Sequence, residues 1–140
     1  MTLHTRVHPR TSLLLAALLP ALATAAASIP HVLNTPEEGS PAQGWLMLSI
    51  APLVALLVNG RWPAATNVSR AFLVALPQLL VVISLARLDV WLDVRSGYLL
   101  RNSGEEAMAY GIGTTLGVIM GIVLVVLVAS AGRLGALLAE

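Results

Sequence analysis

Cysteine is absent from these 140 residues, and so is lysine. The first absence excludes disulfides, thiolate metal sites and thiol catalysis, and it leaves the redox compartment unreadable. The second leaves arginine to carry all eight positive charges; together with the excess of Ala and Leu, this is the bias of a GC-rich bacterial genome. Charge of either sign is scarce, at 11% of residues with a net charge of +1, so no basic patch is dense enough to neutralise a run of phosphates, and nucleic acid is excluded as a partner.

A further absence concerns position rather than number. No Asp, Glu, Lys, Arg or His falls near the middle of any apolar run, where proton- and ion-coupled carriers keep such groups for work despite their cost. His4, His8 and His31 lie in or beside loops, so a haem held between two histidines has no ligands. No nucleophile has a nearby base, no Walker loop occurs, and no metal-ligand cluster is spaced for a site. The expectation is therefore a non-enzyme without catalytic, cofactor-binding or metal residues.

What the chain does have is apolar surface, at 57% of residues, which exceeds the usual share in a soluble domain. These residues are gathered into four stretches free of Asp, Glu and Arg, at 11–36, 43–60, 71–86 and 107–132. A soluble helix of that length carries a polar stripe along one side, and these carry none. Such runs are long enough to cross a bilayer. The fold expected is all-α, a single polytopic membrane domain over 1–140, built as a bundle of four transmembrane helices at about 12–29, 43–60, 71–90 and 107–131.

The first of the four has a second reading. Arg6 and Arg10 precede a short apolar run, Pro20 and the small-x-small pattern Ala23-Thr24-Ala25, which is how a cleavable signal peptide is built. Cleavage would leave three helices; retention is the preferred reading, because the same run extended to Ile29 suffices to span.

Local chemistry marks the other boundaries. Ser40-Pro41-Ala42-Gln43 has capping-box spacing with proline at the first helical position, and Asn59-Gly60 with Pro63 closes that helix. Trp45 and Trp62 lie about 25 Å apart at 1.5 Å per residue, a spacing that puts both indoles at interfaces. Asn67 is an N-cap for the third helix. Beyond it, Leu88, Trp91, Leu92 and Leu99 share one face while Asp89, Asp93 and Ser96 share another, an amphipathic segment over about 88–99 that Gly97 ends. Ser103-Gly-Glu-Glu106 opens the fourth helix as a capping box, with both carboxylates at the positive end of the dipole. Glu37 and Glu38 after Thr35 are read in the same way, and the aspartates are read as a solvated face. Gly132-Arg133 is expected to stop the last helix.

Arginine placement sets the orientation. An N-terminus inside puts Arg6, Arg10, Arg61, Arg70 and Arg133 in the cytoplasm and leaves Arg87, Arg95 and Arg101 outside, the bias expected of short loops. The expected location is a bacterial cytoplasmic (inner) membrane, with both termini cytoplasmic.

Two constellations stand out. Gly113, Gly117 and Gly121 form a glycine zipper on one helical face, where another backbone approaches closely and gains dispersion contacts that lipid does not offer. Ala17 and Ala21 of the first helix are a natural counterpart within the chain; another subunit or a second copy is the alternative. Pro77 frees the carbonyl of Leu73 and sits beside Gln78, an amide inside an apolar run. That pair makes a kink, with solute contact as its functional reading, and Thr114 and Thr115 are placed near the same path. From these features the expected function is a non-catalytic accessory, assembly or scaffold subunit that packs against other membrane subunits or itself in the bilayer. The alternative is a small homo-oligomeric channel or carrier for a neutral or lipophilic solute.

Overall fold

A computed structural model describes residues 8–34 and 40–140 of the chain; the expected cap at Thr35 with Glu37 and Glu38 lies outside them. Five helices follow in order: α1 (Pro9–Leu33), α2 (Pro41–Arg61), α3 (Val68–Ala75), α4 (Pro77–Ser96) and α5 (Gly104–Leu138). The third and fourth form one span interrupted only at Leu76, so four helical rods are long and apolar enough to cross a membrane. The fold is all-α and the protein is a membrane protein.

The starts of α2, α3 and α5 are capped as their residues dictate. The Ser40 hydroxyl accepts from the Gln43 amide at 3.4 Å, Asn67 Oδ1 accepts from Arg70 at 2.9 Å, and Ser103 Oγ accepts from Glu106 at 3.2 Å. The Glu106 carboxylate reaches back one residue further than a standard capping box, to the amide of Asn102, and so satisfies a donor outside the helix. At the other end of α4, Gly97 takes a left-handed conformation (φ 83°). Tyr98 N–H then donates to Asp93 O and Gly97 N–H to Val94 O, the two bonds of a Schellman stop.

Two boundaries depart from the sequence reading. The amphipathic stretch at 88–99 is not a separate element, since α4 runs unbroken through Val90 to Ser96 and only Gly97 ends it. Nor does Gly132-Arg133 stop α5, which continues to Leu138. No proline follows Arg133, and Gly132 and Gly135 are both buried, so the small residues that suggested a stop are held by packing. At 35 residues α5 is about 52 Å long, well beyond a hydrocarbon core of about 30 Å, and its ends extend past the apolar slab or tilt within it.

The rods form a ring. α1 packs on α2 and on the α3–α4 rod, and α5 packs on α2 and on that same rod. Volume is distributed inside out relative to a soluble bundle. The buried centre is mostly small: Ala16, Ala51, Ala55, Ala65, Ala75 and Ala129 with Val58, Val74 and Val128. Leu22, Leu57, Leu73 and Leu80 face outward, each at least 61% exposed. That is the arrangement expected when lipid, rather than water, surrounds the rods and close backbone approach supplies the association energy.

Candidate functional site: an apolar cavity among four helices

The small-residue core fills only one end of the ring, where α1 begins, α2 ends and α5 ends. At the other end the rods separate around a cavity of about 500 Å³, within the range of small-molecule pockets. α1 lines it with Thr24, Ser28, His31 and Val32; α2 with the face from Pro41 to Leu48, including Trp45; α4 with Val82 to Val90; α5 with Gly113, Gly117 and Met120 among others.

The reason for the opening lies in α1 and α2. On α1 the inward positions are Ser12, Ala16, Pro20, Thr24 and Ser28, spaced by four and all small. Toward the far end, the first turn of α2 does not close over them. A Cβ built on Gly44 meets no atom of a described residue within 4 Å, and the lining residues Trp45 and Leu116 are 70% and 55% exposed. Among the described residues the edge of the cavity at Gly44, Trp45 and Leu116 is therefore exposed.

Polar groups occur at only two levels. At the floor, Thr24 Oγ1 donates to Gln78 Oε1 at 2.7 Å, and Ser28 Oγ donates to the Thr24 carbonyl at 2.7 Å. Gln78 is 1% exposed, and its Nε2 has no partner among the described residues; an unpaired amide N–H at that depth is costly. At the mouth, His31 Nε2 stands 3.8 Å from Asp89 Oδ2. The rest of the lining is apolar, apart from backbone.

The sequence-predicted residues distribute unevenly around this site. Gly113, Gly117 and Gly121 pack on α4 within the chain. A Cβ on Gly117 would sit 3.1 Å from Ala86 Cβ and 3.3 Å from Ile83 Cα, and one on Gly121 3.2 Å from Leu79 Cα. α4 therefore takes the place expected for Ala17 and Ala21. The reason is connectivity: only residues 97–103 join α4 to α5, so the two rods lie side by side and antiparallel, while α1 packs on α2, α3 and α4.

Pro77 occupies the first position of α4. Leu76 before it keeps helical angles (φ −52°, ψ −36°), and the Leu79 amide bonds back to Leu76 O at 3.0 Å, a tightened turn at the break. Gln78 reaches the cavity only through Thr24. Thr114 and Thr115 do not line it: Thr114 Oγ1 accepts from Arg87 Nη1 at 3.2 Å, and Thr115 donates to Gly111 O on the outer face. The residues that sequence reasoning missed are Thr24, Ser28, His31 and Trp45, together with Asp89, which it read as solvated. His31 and Asp89 are 58 positions apart, and nothing local joins them. The four-residue spacing of small residues along α1 is the one signal that points inward.

Among the described residues, no three His, Asp or Glu side chains converge as a metal site would require. No protein-family model, no curated protein and no solved structure matches the chain.

Proposed function

We propose that this protein binds a neutral or lipophilic small molecule inside the membrane and acts as a carrier or receptor for it, without catalysing its conversion. The observation that carries this reading is the cavity of about 500 Å³ lined by all four rods, with an apolar wall and an exposed edge at Gly44 and Trp45. A pocket of that size and lining suits a compact lipophile with one or two polar atoms. The first helix is a retained span in this reading, because it supplies Thr24, Ser28, His31 and Val32 to the wall.

The assembly role expected from the glycine zipper loses its main support, since α4 of the same chain covers that face. The bilayer remains the surroundings, and the cytoplasmic membrane with both termini inside remains the orientation that the arginines favour. Reporter fusions after Trp62 and Glu140 are expected to read as cytoplasmic and one after Gly97 as external; a cytoplasmic Gly97 reverses the topology.

The binding test uses Nile red, a neutral lipophile that brightens in apolar surroundings, titrated into nanodiscs of neutral phospholipid with and without the protein. The expected result is a saturable component present only with the protein and abolished by Gly44→Trp, which fills the exposed edge of the cavity. Partitioning alone, identical in empty and loaded discs, would overturn the reading.

A further inference from the structure

Resting on the proposed cavity function, we infer that the solute class preferred by this site is the lipophilic cation, with its apolar body in the cavity and its positive charge at the mouth between Asp89 and Trp45. The wall is apolar except for hydroxyls at the floor and one ionisable pair at the rim, so charge selectivity is decided at the rim. Among the described residues Asp89 is the one acid that lines the cavity, and Asp93 follows one turn later on α4. Against these two carboxylates stands one imidazole, His31, 3.8 Å from Asp89.

The nearby arginines are engaged elsewhere. Arg87 donates to Thr114 and lies 5.2 Å over the Tyr110 ring, and Arg95 lies 4.9 Å over Trp91; neither lines the cavity. The ionisable groups of the described lining are thus Asp89 and His31, and the rim is negative while His31 is neutral. An anion placed there meets the Asp89 carboxylate, whereas a cation meets that carboxylate in a lining that also holds the Trp45 indole, both attractive to it. Dimensions agree with a bulky rather than an extended guest. From Thr24 to His31 the wall runs about 10 Å, and from Gly113 to Leu124 about 16 Å, a depth that a compact multi-ring cation fills.

Tetraphenylphosphonium and tetraphenylborate share one shape and differ in sign, so they separate charge from size. In the Nile red assay the cation should displace the bound dye and the anion should not, and saturable uptake of the cation is also read directly by dialysis. Asp89→Asn should weaken the cation about five- to tenfold in the dialysis measurement, with thermal unfolding as in the wild type showing that the variant folded. His31→Ala, which removes the internal competitor and keeps Asp89, should strengthen cation binding severalfold.

Saturable Nile red binding with equal displacement by both ions, or with cation affinity unchanged in Asp89→Asn and in His31→Ala, overturns this inference alone. A wild type that binds neither Nile red nor the cation overturns the cavity function as well.

Discussion

The two ends of the bundle are built from the same residue types and pack in opposite ways. Where α2 and α5 end, Ala16, Ala51, Ala55, Ala65, Ala71, Ala75 and Ala129 close the centre, and the rods approach until a Cβ on Gly135 would stand 2.3 Å from the Leu56 carbonyl oxygen. Where α2 and α5 begin, the alanines, glycines and serines of the same helices border a cavity. Small residues therefore do not fix packing by themselves. They permit close approach where one backbone meets another directly, as at Gly135, and they border a void where the rods diverge. At the closed end Asn59 ties α2 to the loop that follows it, since its Oδ1 accepts from the amides of Ala64 and Ala65 while its Nδ2 donates to Ala55 O. At the open end the polar links run between rods: Thr24 to Gln78 at the cavity floor, Arg87 to Thr114 beside it, and the half-exposed His31–Asp89 pair at the mouth.

The sharpest way to break this contrast is at Gly135. Its virtual Cβ overlaps Leu56 O and lies 3.1 Å from Gly60 N, both backbone atoms that cannot turn aside. Gly135→Leu must part α2 from α5, and the expected loss exceeds about 3 kcal/mol, the upper range for overpacking. The variant is expected to run as unfolded or aggregated material in mild detergent. Thermal stability equal to wild type would show that the closed end is not held by this approach.

Asn59→Ala comes next. Asn59 is fully buried, and truncation leaves the amides of Ala64 and Ala65 without an acceptor at 2% and 0% exposure. At about 1 to 3 kcal/mol for each of the two orphaned buried groups, the expected cost is about 2 to 6 kcal/mol. Hydrogen exchange localises it: the amides of 64 and 65 should lose protection while those of 85–90 keep theirs. Unchanged protection at both ends would remove Asn59 from the comparison.

Much of this architecture is legible in the residues, and the illegible part has a physical cause. Runs free of acids and arginines, together with Ser40, Asn67, Gly97 and Ser103, mark the four rods, because capping and bilayer spanning depend on neighbours in sequence. Which rods touch depends on loop length and on side chains far apart in the chain. So the glycine stripe suggested a partner without identifying α4, and His31 and Asp89 read as two unrelated solvent groups. Gly135 lies in a stretch read as the tail after a stop, which hid the tightest contact. The void was least visible, since the small residues around it are the types that elsewhere close a core.

Between the two ends lies the glycine stripe, and its expected effect is intermediate. A leucine at Gly117 would press on Ala86 Cβ at 3.1 Å and on Ile83 Cα at 3.3 Å, a backbone atom that yields only if α4 moves. Because Gly117 also borders the cavity, part of the added volume has somewhere to go. Gly117→Leu should therefore cost about 1 to 3 kcal/mol. Val118→Leu, on the exposed face beside it, should change thermal stability little. Equal stability of the two variants would make the stripe incidental to packing.

The smallest effect on stability is expected at Gly44, and there it is most informative. Gly44 lies in the first turn of α2, is exposed, borders the cavity, and has no atom of a described residue within 4 Å of a virtual Cβ. A tryptophan placed there meets no backbone and fills space that the fold leaves empty. Replacing glycine also removes its entropic cost in a helix, about 0.5 to 1 kcal/mol relative to alanine. Gly44→Trp should therefore keep wild-type stability to within about 0.5 kcal/mol while removing saturable Nile red binding. Gly135→Leu and Gly44→Trp add bulk at glycines on opposite ends of one bundle, and their expected outcomes differ because of what stands opposite each, a carbonyl oxygen in one case and an opening in the other. If Gly44→Trp unfolded the protein, the open end would already be packed against something, and the cavity would lose its standing as a site. If it folded and bound Nile red unchanged, the dye would lie elsewhere and the cavity would be a void without a guest.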